Sequence, residues 1–304
     1  MIHVIKPGLL TTVQDMGRRG FTHLGLSPGG AADSVAFRLA NLASGNDANA
    51  PALEITLLGP TLEFEVEATI AICGSRTSTS VSINEPIKVA AGERLNFGSL
   101  LDGARVYLAI RGGIEVPEVM GSCSTFLPAN IGGFRGRALQ SGDSLPIGKH
   151  HAKDARKLSS ATAALLRRRE GMILVTPSLQ SDWFDHEATR QFYEQPFTVT
   201  SQSNRSGLRL SGQPLAANRS DELVTEGIPL GAIQVPPDGL PIILFVDQQT
   251  TGGYPKIANV IASHFPRIGQ LRPGDEVRFK LTSIVEAAER LRNQEDVLRE
   301  AFAQ

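Results

Sequence analysis

The sequence predicts a mainly β protein in two halves, and three of its features carry that prediction. Its 304 residues include thirty glycines and eighteen prolines. Together these make about 16% of the chain against a usual level of about 12%, and they are spread along its length rather than gathered in one linker. Such punctuation calls for many turns between short elements. The second feature is a recurring unit, Gly92-Glu93-Arg94-Leu95-Asn96-Phe97, Gly142-Asp143-Ser144-Leu145-Pro146-Ile147 and Gly274-Asp275-Glu276-Val277-Arg278-Phe279. In each, a Gly-acid turn precedes apolar residues at alternate positions, the period of a half-buried strand. Duplicated β domains would produce that pattern, although Gly-Asp turns also recur by chance. Third, helical periodicity is confined to a few places.

In chain order, residues 34–44 carry Val35, Leu39 and Leu42 at helical spacing behind Asp33 as N-cap. Ile70-Ala71-Ile72, residues 106–110 and Phe197–Val199 read as strands. Residues 150–170 hold Lys153, Arg156, Lys157 and the run Arg167-Arg168-Arg169, with Ala161, Ala164, Leu165 and Leu166 suited to a short helix. In a chain of balanced charge this reads as a solvated interdomain segment rather than a nucleic-acid site. Residues 180–193 are a second helix candidate, anchored by Trp183 and Phe184. Ile242-Ile243-Leu244-Phe245-Val246 reads as a strand buried on both faces. Residues 283–302 form the clearest helix: Ser283 and Glu286 make a capping box, and Ile284, Ala288, Leu291, Leu298 and Phe302 one apolar stripe. The expected division is a β domain over 1–149, a linker over 150–171, a second β domain over 172–281 and a C-terminal helix over 282–304.

Composition narrows the function. A formal net charge of -1 and a pI near 6.6 give no reason to expect nucleic acid or an anionic membrane as partner. Cys73 and Cys123 are far apart and lack metal-ligand spacing, which fits a reducing cytoplasm. No charged-then-apolar leader opens the chain, and no apolar run approaches a membrane span. The six histidines show no zinc motif, and His150-His151 falls in the expected linker, so no metal site is expected on this chain.

The chemistry-bearing residues concentrate after the strand 242–246, in Asp247-Gln248-Gln249-Thr250-Thr251-Gly252-Gly253-Tyr254-Pro255-Lys256. A carboxylate, amides, hydroxyls, a phenol and an ammonium surround two glycines whose N–H groups could form an anion-binding concavity. Taken alone, the segment reads better as a strand ending in a polar Gly-Gly hairpin, and only its place in an ordered series of motifs reverses that preference. Near the N-terminus, Gln14-Asp15-Met16-Gly17-Arg18 and Gly29-Gly30-Ala31-Ala32-Asp33 offer acids, an amide and a guanidinium on glycine-rich loops. Asp33 has the plainer reading of a helix cap, and Asp15 beside Arg18 that of a local ion pair. Gly132-Gly133-Phe134-Arg135-Gly136-Arg137 lacks the Walker pattern and no long helix follows it, so a nucleotide loop is rejected there. Cys123, with no activating partner in sequence, reads as a small buried hydrophobe. In the second half, Arg205 and Arg209 would make a fork for carboxylate or phosphate if they converge, and Glu226 and Gln234 stand at strand ends.

Taken in order, these segments resemble one family. The matching residues are Val13-Gln14-Asp15-x-Gly17-Arg18, Gly30-Ala31-x-Asp33, Gly132-Gly133-x-x-Gly136-Arg137-x-Leu139-x-x-Gly142-Asp143 and Ser203-Asn204-Arg205-x-Gly207-x-Arg209-Leu210-x-Gly212. They continue with Glu226-Gly227-x-x-x-Gly231-Ala232-Ile233-Gln234-Val235-Pro236, Asp247-x-Gln249-Thr250-Thr251-Gly252-Gly253-Tyr254-Pro255-Lys256 and Gln270-x-x-Pro273-Gly274-Asp275. The family is variously named KipA, allophanate hydrolase subunit 2, biotin-dependent carboxyltransferase domain and the C component of 5-oxoprolinase. Ala32, Ser206 and Leu208 depart from its usual methionines and aromatic, and Phe126 stands where an acid is usual.

The resemblance implies two β-barrel-like domains related to cyclophilin. It implies one part of an ATP-dependent 5-oxoprolinase, a heteromeric hydrolase. ATP and Mg would be shared with a KipI-type B component, and a LamB/YcsF-type A component would complete hydrolysis of 5-oxoproline to glutamate. Within it, Asp15, Glu226, Asp247 and Lys256 are the candidate catalytic residues. Gln14, Arg18, Asp33, Arg205, Arg209, Gln234, Gln249, Thr250, Thr251, Gly252, Gly253 and Tyr254 are the candidate substrate-binding residues. Chemistry suggests Arg205 or Arg209 for a carboxylate, Asp247 and Lys256 for a phosphate or carboxyphosphate, and Glu226 or Asp15 as proton acceptor. Two alternatives belong to the same family: a carboxyltransferase component of a urea carboxylase-like system, with biotin on another chain, and a non-catalytic antagonist of a kinase inhibitor.

Overall fold

The computed structural model describes residues 1–79, 81–149, 153–166, 172–217 and 223–303. The His150-His151 pair and the run Arg167-Arg168-Arg169 lie outside the described residues. The chain divides into two compact units, each interrupted in sequence. One comprises Met1–Arg18, Gly29–Arg167 and Glu295–Gln304, and the other Arg19–Pro28 and Arg168–Gln294.

The strands of the first unit are β1 (Ile2–Lys6), β2 (Leu10–Gln14), β3 (Ala52–Thr56), β4 (Thr61–Phe64), β5 (Ala68–Gly74), β6 (Pro86–Val89), β7 (Arg94–Asn96), β8 (Arg105–Ile110) and β9 (Ser144–Leu145). Helix α1 (Ser34–Ser44) lies between β2 and β3, and the short α2 (Ser160–Ala164) follows β9. The strands make a four-stranded sheet in the order β7-β4-β1-β9 and a five-stranded sheet in the order β2-β3-β8-β5-β6. Their facing side chains form one core, with Ile2, Val4, Leu62 and Phe64 from the first sheet and Val13, Leu53, Ile55, Ile70, Ile72, Val106, Leu108 and Ile110 from the second. The two-residue period sends the alternate residues Ala71, Cys73, Tyr107 and Ala109 to the opposite face, where α1 covers them with Phe37, Leu39 and Ala43. This explains why every residue of β8 is buried. Burial of each large α1 side chain contributes about 1.5–3 kcal/mol.

The helix begins as its sequence requires. Asp33 Oδ1 accepts from the N–H groups of Val35 and Ala36. Residues 153–166, expected to be solvated, instead lie along the first unit: the N–H groups of Lys153 and Arg156 donate to Gly45 and Ala43, and Leu158 and Thr162 are buried. Apolar residues within the charged stretch account for the difference.

The second unit contains β10 (Ile173–Pro177), β11 (Phe197–Val199), β12 (Gly207–Ser211), β13 (Glu226–Gly227), β14 (Ala232–Gln234), β15 (Ile242–Leu244), β16 (Thr251–Gly252), β17 (Lys256–Val260), β18 (Glu276–Val277) and β19 (Phe279–Leu281). Eight of them form one sheet in the order β18-β11-β12-β15-β14-β17-β10-β19. Its two terminal strands are separated in sequence by Arg278 alone, so the sheet curls into a nearly closed barrel. Helix α3 (His186–Glu194) contributes Phe192, which stacks on Phe279 with ring centroids 4.5 Å apart.

The helix expected over 180–193 is split. Phe184 adopts extended backbone, and Asp185 caps a new helix by accepting from the N–H of Ala188. A four-residue α4 (Phe265–Ile268) precedes the last two strands, and α5 (Ile284–Ala303) ends the chain. The capping box forms only in part: Ser283 Oγ accepts from the Glu286 N–H, but the Glu286 carboxylate turns to Thr282 and Arg290. The predicted stripe is also shorter than expected. Ile284 is 77% exposed, and only Leu298 and Ala301 of the helix are buried. They join the α1 cluster, and the Arg38 guanidinium clasps Glu295 with two hydrogen bonds of 2.7 and 2.8 Å.

The three Gly-acid turns share one construction. Gly92, Gly142 and Gly274 all have φ between 80° and 92°, and their N–H groups donate to Phe64, Val4 and Val199. A left-handed turn residue is needed at each.

Candidate functional site

In the first unit, β2 delivers Gln14 and Asp15 to the segment 122–125. The Asp15 carboxylate, 3% exposed as a residue, accepts from the N–H of Gly17 (2.7 Å), the Ser122 hydroxyl (2.7 Å), the Cys123 N–H (2.6 Å) and the Ser124 hydroxyl (2.5 Å). Arg18 donates to the carbonyls of Ser124 at 2.6 Å and Val119 at 3.4 Å. Gln14 donates to Thr12 Oγ1 and the Thr125 carbonyl. A carboxylate so fully engaged fastens the end of β2 to the segment 122–125. Burial, and then the Asp15 charge, push the Cys123 thiol up to about 11, which leaves it unreactive at neutral pH.

The glycine loop closes the same cluster. A Cβ on Gly132 would sit 2.1 Å from the Ser124 carbonyl oxygen, and one on Gly133 would sit 1.8 Å from Thr125 Oγ1. Gly132 lets its backbone abut that of Ser124, and Gly133 lets it abut the Thr125 side chain. Asp33 stays a cap, its own N–H donating to the Tyr107 hydroxyl, which in turn donates to Glu54.

In the second unit, Arg205 and Arg209 do not converge. Arg209 is exposed on β12 between buried Leu208 and Leu210, whereas Arg205 is buried. Pairing of β12 with β15 continues as an Asp247 N–H to Arg205 carbonyl hydrogen bond, and the side chains meet beside it. Arg205 Nε donates to Asp247 Oδ2 at 2.8 Å and Nη2 to Oδ1 at 3.0 Å, with both side chains nearly inaccessible. This two-point pair occupies the groups expected to hold a carboxylate and a phosphate.

The open chemistry lies on the short ladder of β13 and β16, which places Glu226 opposite Gly252. The Gly-Gly hairpin reading is thereby excluded. Neither Gly252 nor Gly253 has a left-handed φ, so they do not form the alternating anion nest either. Glu226 Oε1 accepts from Lys256 Nζ at 2.5 Å and from Gln180 Nε2 at 2.8 Å. The Lys256 side chain is 3% exposed and that of Glu226 36%. Oε2 accepts no hydrogen bond among the described residues. The Lys256 ammonium, more than any other group, holds the Glu226 carboxyl below its usual range.

Two further amides adjoin. A Cβ on Gly252 would lie 3.0 Å from Gln234 Nε2 and 3.4 Å from Gln249 Nε2. Gln234 also donates to the Tyr254 carbonyl at 3.4 Å, and Gln248 Nε2 to the Ile228 carbonyl at 2.9 Å. Thr250, Thr251 and Tyr254 stand partly or fully exposed on the same segment. Gln180 and Gln248 are functional candidates that sequence reasoning missed; Gln180 lies 46 residues before Glu226 with no local pattern to mark it. Among the described residues, no group of His, Cys, Asp and Glu could hold a metal, and no helix is long and apolar enough to cross a membrane.

A family model for the carboxyltransferase domain, subdomain A and B, matches residues 24–281. The chain belongs to the carboxyltransferase family. It is 42% identical to the C component of the 5-oxoprolinase of Escherichia coli (strain K12) over 97% of this chain and 96% of that protein. It is 37% identical to the urea amidolyase of Lachancea kluyveri, covering 98% of this chain but 18% of that far longer protein. The crystal structure of the K. lactis urea amidolyase superposes with a TM-score of 0.91 at 35% identity, over 99% of this chain and 20% of the other. The mainly β architecture with its terminal helix is therefore that of carboxyltransferase domains.

Proposed function

We propose that this chain serves as the C component of an ATP-dependent 5-oxoprolinase. It would join a KipI-type component to activate 5-oxoproline, and a LamB/YcsF-type component would complete hydrolysis to glutamate. The observation that carries the reading is 42% identity to a 5-oxoprolinase C component along nearly the whole of both chains. The site chemistry supports it: an ionised carboxylate oxygen accepts an N–H, and neighbouring glutamine amides donate to a carbonyl, the two halves of a lactam. The glycine loop is packed shut and Asp247 and Lys256 are engaged. Nucleotide and Mg are therefore assigned to the assembly, and no step on this chain is routed through them. Activity belongs to the complex, in the cytoplasm, with the chain alone inactive.

The test is reconstitution with both partner proteins, measuring ATP hydrolysis stimulated by 5-oxoproline and the glutamate formed. An assembled complex without stimulated turnover rejects the reading. A second reading, carboxyl transfer to urea from biotin on another chain, is favoured by the superposition on urea amidolyase. It predicts turnover of urea only when a biotinylated carrier and its carboxylase are added.

A further inference from the structure

We propose that Gln180 is a positioning residue for Glu226, and that the carboxylate oxygen left open, Oε2, accepts the N–H of a small amide substrate. The substrate's identity as 5-oxoproline rests on the reading above; the geometry does not.

Three features support the assignment. Both donors to Glu226, Lys256 and Gln180, converge on Oε1, and both are buried whereas Glu226 is partly exposed. Two donors on one oxygen fix the plane of the carboxylate and leave its other oxygen as a charged acceptor. Gly252 opposite Glu226 brings no side chain beside that oxygen.

The Gln180 amide also has its orientation set by chemistry. A carboxylate oxygen only accepts, so the NH2 of Gln180 must face Glu226. Its carbonyl oxygen Oε1 is consequently buried without a hydrogen bond among the described residues. Burying an acceptor unsatisfied is unfavourable, and an apolar side chain of the same shape would suit the fold better. The contact with Glu226 accounts for an amide at this position. Lys256 and Gln180 are the groups that hold the Glu226 carboxyl low, so it stays ionised at neutral pH and acts as acceptor rather than as acid.

A fixed anionic acceptor discriminates between a ring N–H and a ring oxygen. The experiment uses the reconstituted complex and compares 5-oxoproline with its ring-oxygen analogue, the γ-lactone of 2-hydroxyglutarate. It measures kcat and KM for the lactam and the inhibition constant of the lactone. The wild type should favour the lactam by about tenfold or more. Gln180→Met should raise KM about three- to tenfold, lower the lactam preference by a similar factor and change kcat less, with the melting temperature unchanged or higher. A merely structural residue would move stability and leave the preference alone.

Wild-type KM and preference in an active Gln180→Met complex would overturn the inference while leaving the functional reading intact. A silent wild-type complex instead rejects that reading and the substrate assignment with it. Should Gln180→Met fail to assemble, Glu226→Gln decides on the same constants: a lost preference supports the inference and an intact one overturns it.

Discussion

Asp15 and Glu226 arise from similar sequence signals, an acid within two residues of a glycine at a strand end, and the structure gives them opposite conditions. Asp15 is buried and accepts from two backbone N–H groups and two hydroxyls, so both oxygens are engaged. Glu226 is about a third exposed and, among the described residues, takes both of its hydrogen bonds on one oxygen, leaving the other open. The comparison teaches that a polar residue in a recognisable motif is assigned by how many of its lone pairs the fold has already used. A saturated carboxylate fastens two segments, whereas a half-used one is available to a ligand.

The largest test of this contrast is Asp15→Ala. It removes the acceptor for four donors at once, two of them main-chain, and each buried donor left unmade costs about 1–3 kcal/mol. Allowing for relaxation, a loss of about 4 kcal/mol in chemical denaturation is expected, with any loss of activity tracking the loss of folded protein. Normal stability with lost turnover would return Asp15 to the catalytic residues.

The next largest effect comes from the glycines beside each carboxylate. At Gly133, with φ of 53° and Thr125 Oγ1 at 1.8 Å from a built Cβ, alanine should cost about 2–4 kcal/mol. At Gly252 the nearest atom is the terminal Cδ1 of Ile228 rather than backbone and φ is not left-handed, so alanine should cost less than about 1.5 kcal/mol while raising KM in the reconstituted complex. Equal destabilisation at the two sites would erase the distinction between fastening and mouth.

The smallest effect is on pH dependence. Because the folded Glu226 pKa lies below its unfolded value of about 4.3, its contribution to stability is complete above that value and is lost as pH falls through the folded pKa. With the side chain a third exposed, this amounts to about 0.5 kcal/mol. Glu226→Gln should slightly flatten the acid limb of the denaturation profile and cost about 1–2 kcal/mol at neutral pH, because the buried Lys256 ammonium loses its carboxylate. A neutral-pH loss beyond about 2 kcal/mol would show a structural role instead.

Local signals were readable and long-range ones were not. Asp33 with the apolar spacing of α1 needs only its own turn of chain to declare a helix, and the alternation in β5 and β8 declares buried strands. Asp185, a strong N-cap type, also carried a usable signal for the break before α3. Nothing near Gln180 marks its bond to Glu226, because that contact depends on the turn after β10 meeting a two-residue strand far along the chain. The pairing of Arg205 with Asp247 likewise depends on the β12 to β15 register, and the exposure of Ile284 on where docking of α5 begins. The motifs located the polar residues; their assignment as fastening or mouth required the partners.

The two strands flanking Arg278 have a consequence for synthesis. As the last β residues of the sheet in sequence, they supply both of its ends, so β10 and β11 each keep one edge unpaired until residues 276–281 have been made. An incomplete chain would display two naked strand edges to its neighbours. A chain that stopped before Glu276 would therefore leave one edge of β10 and one edge of β11 unpaired, with nothing else in the sheet to cover them.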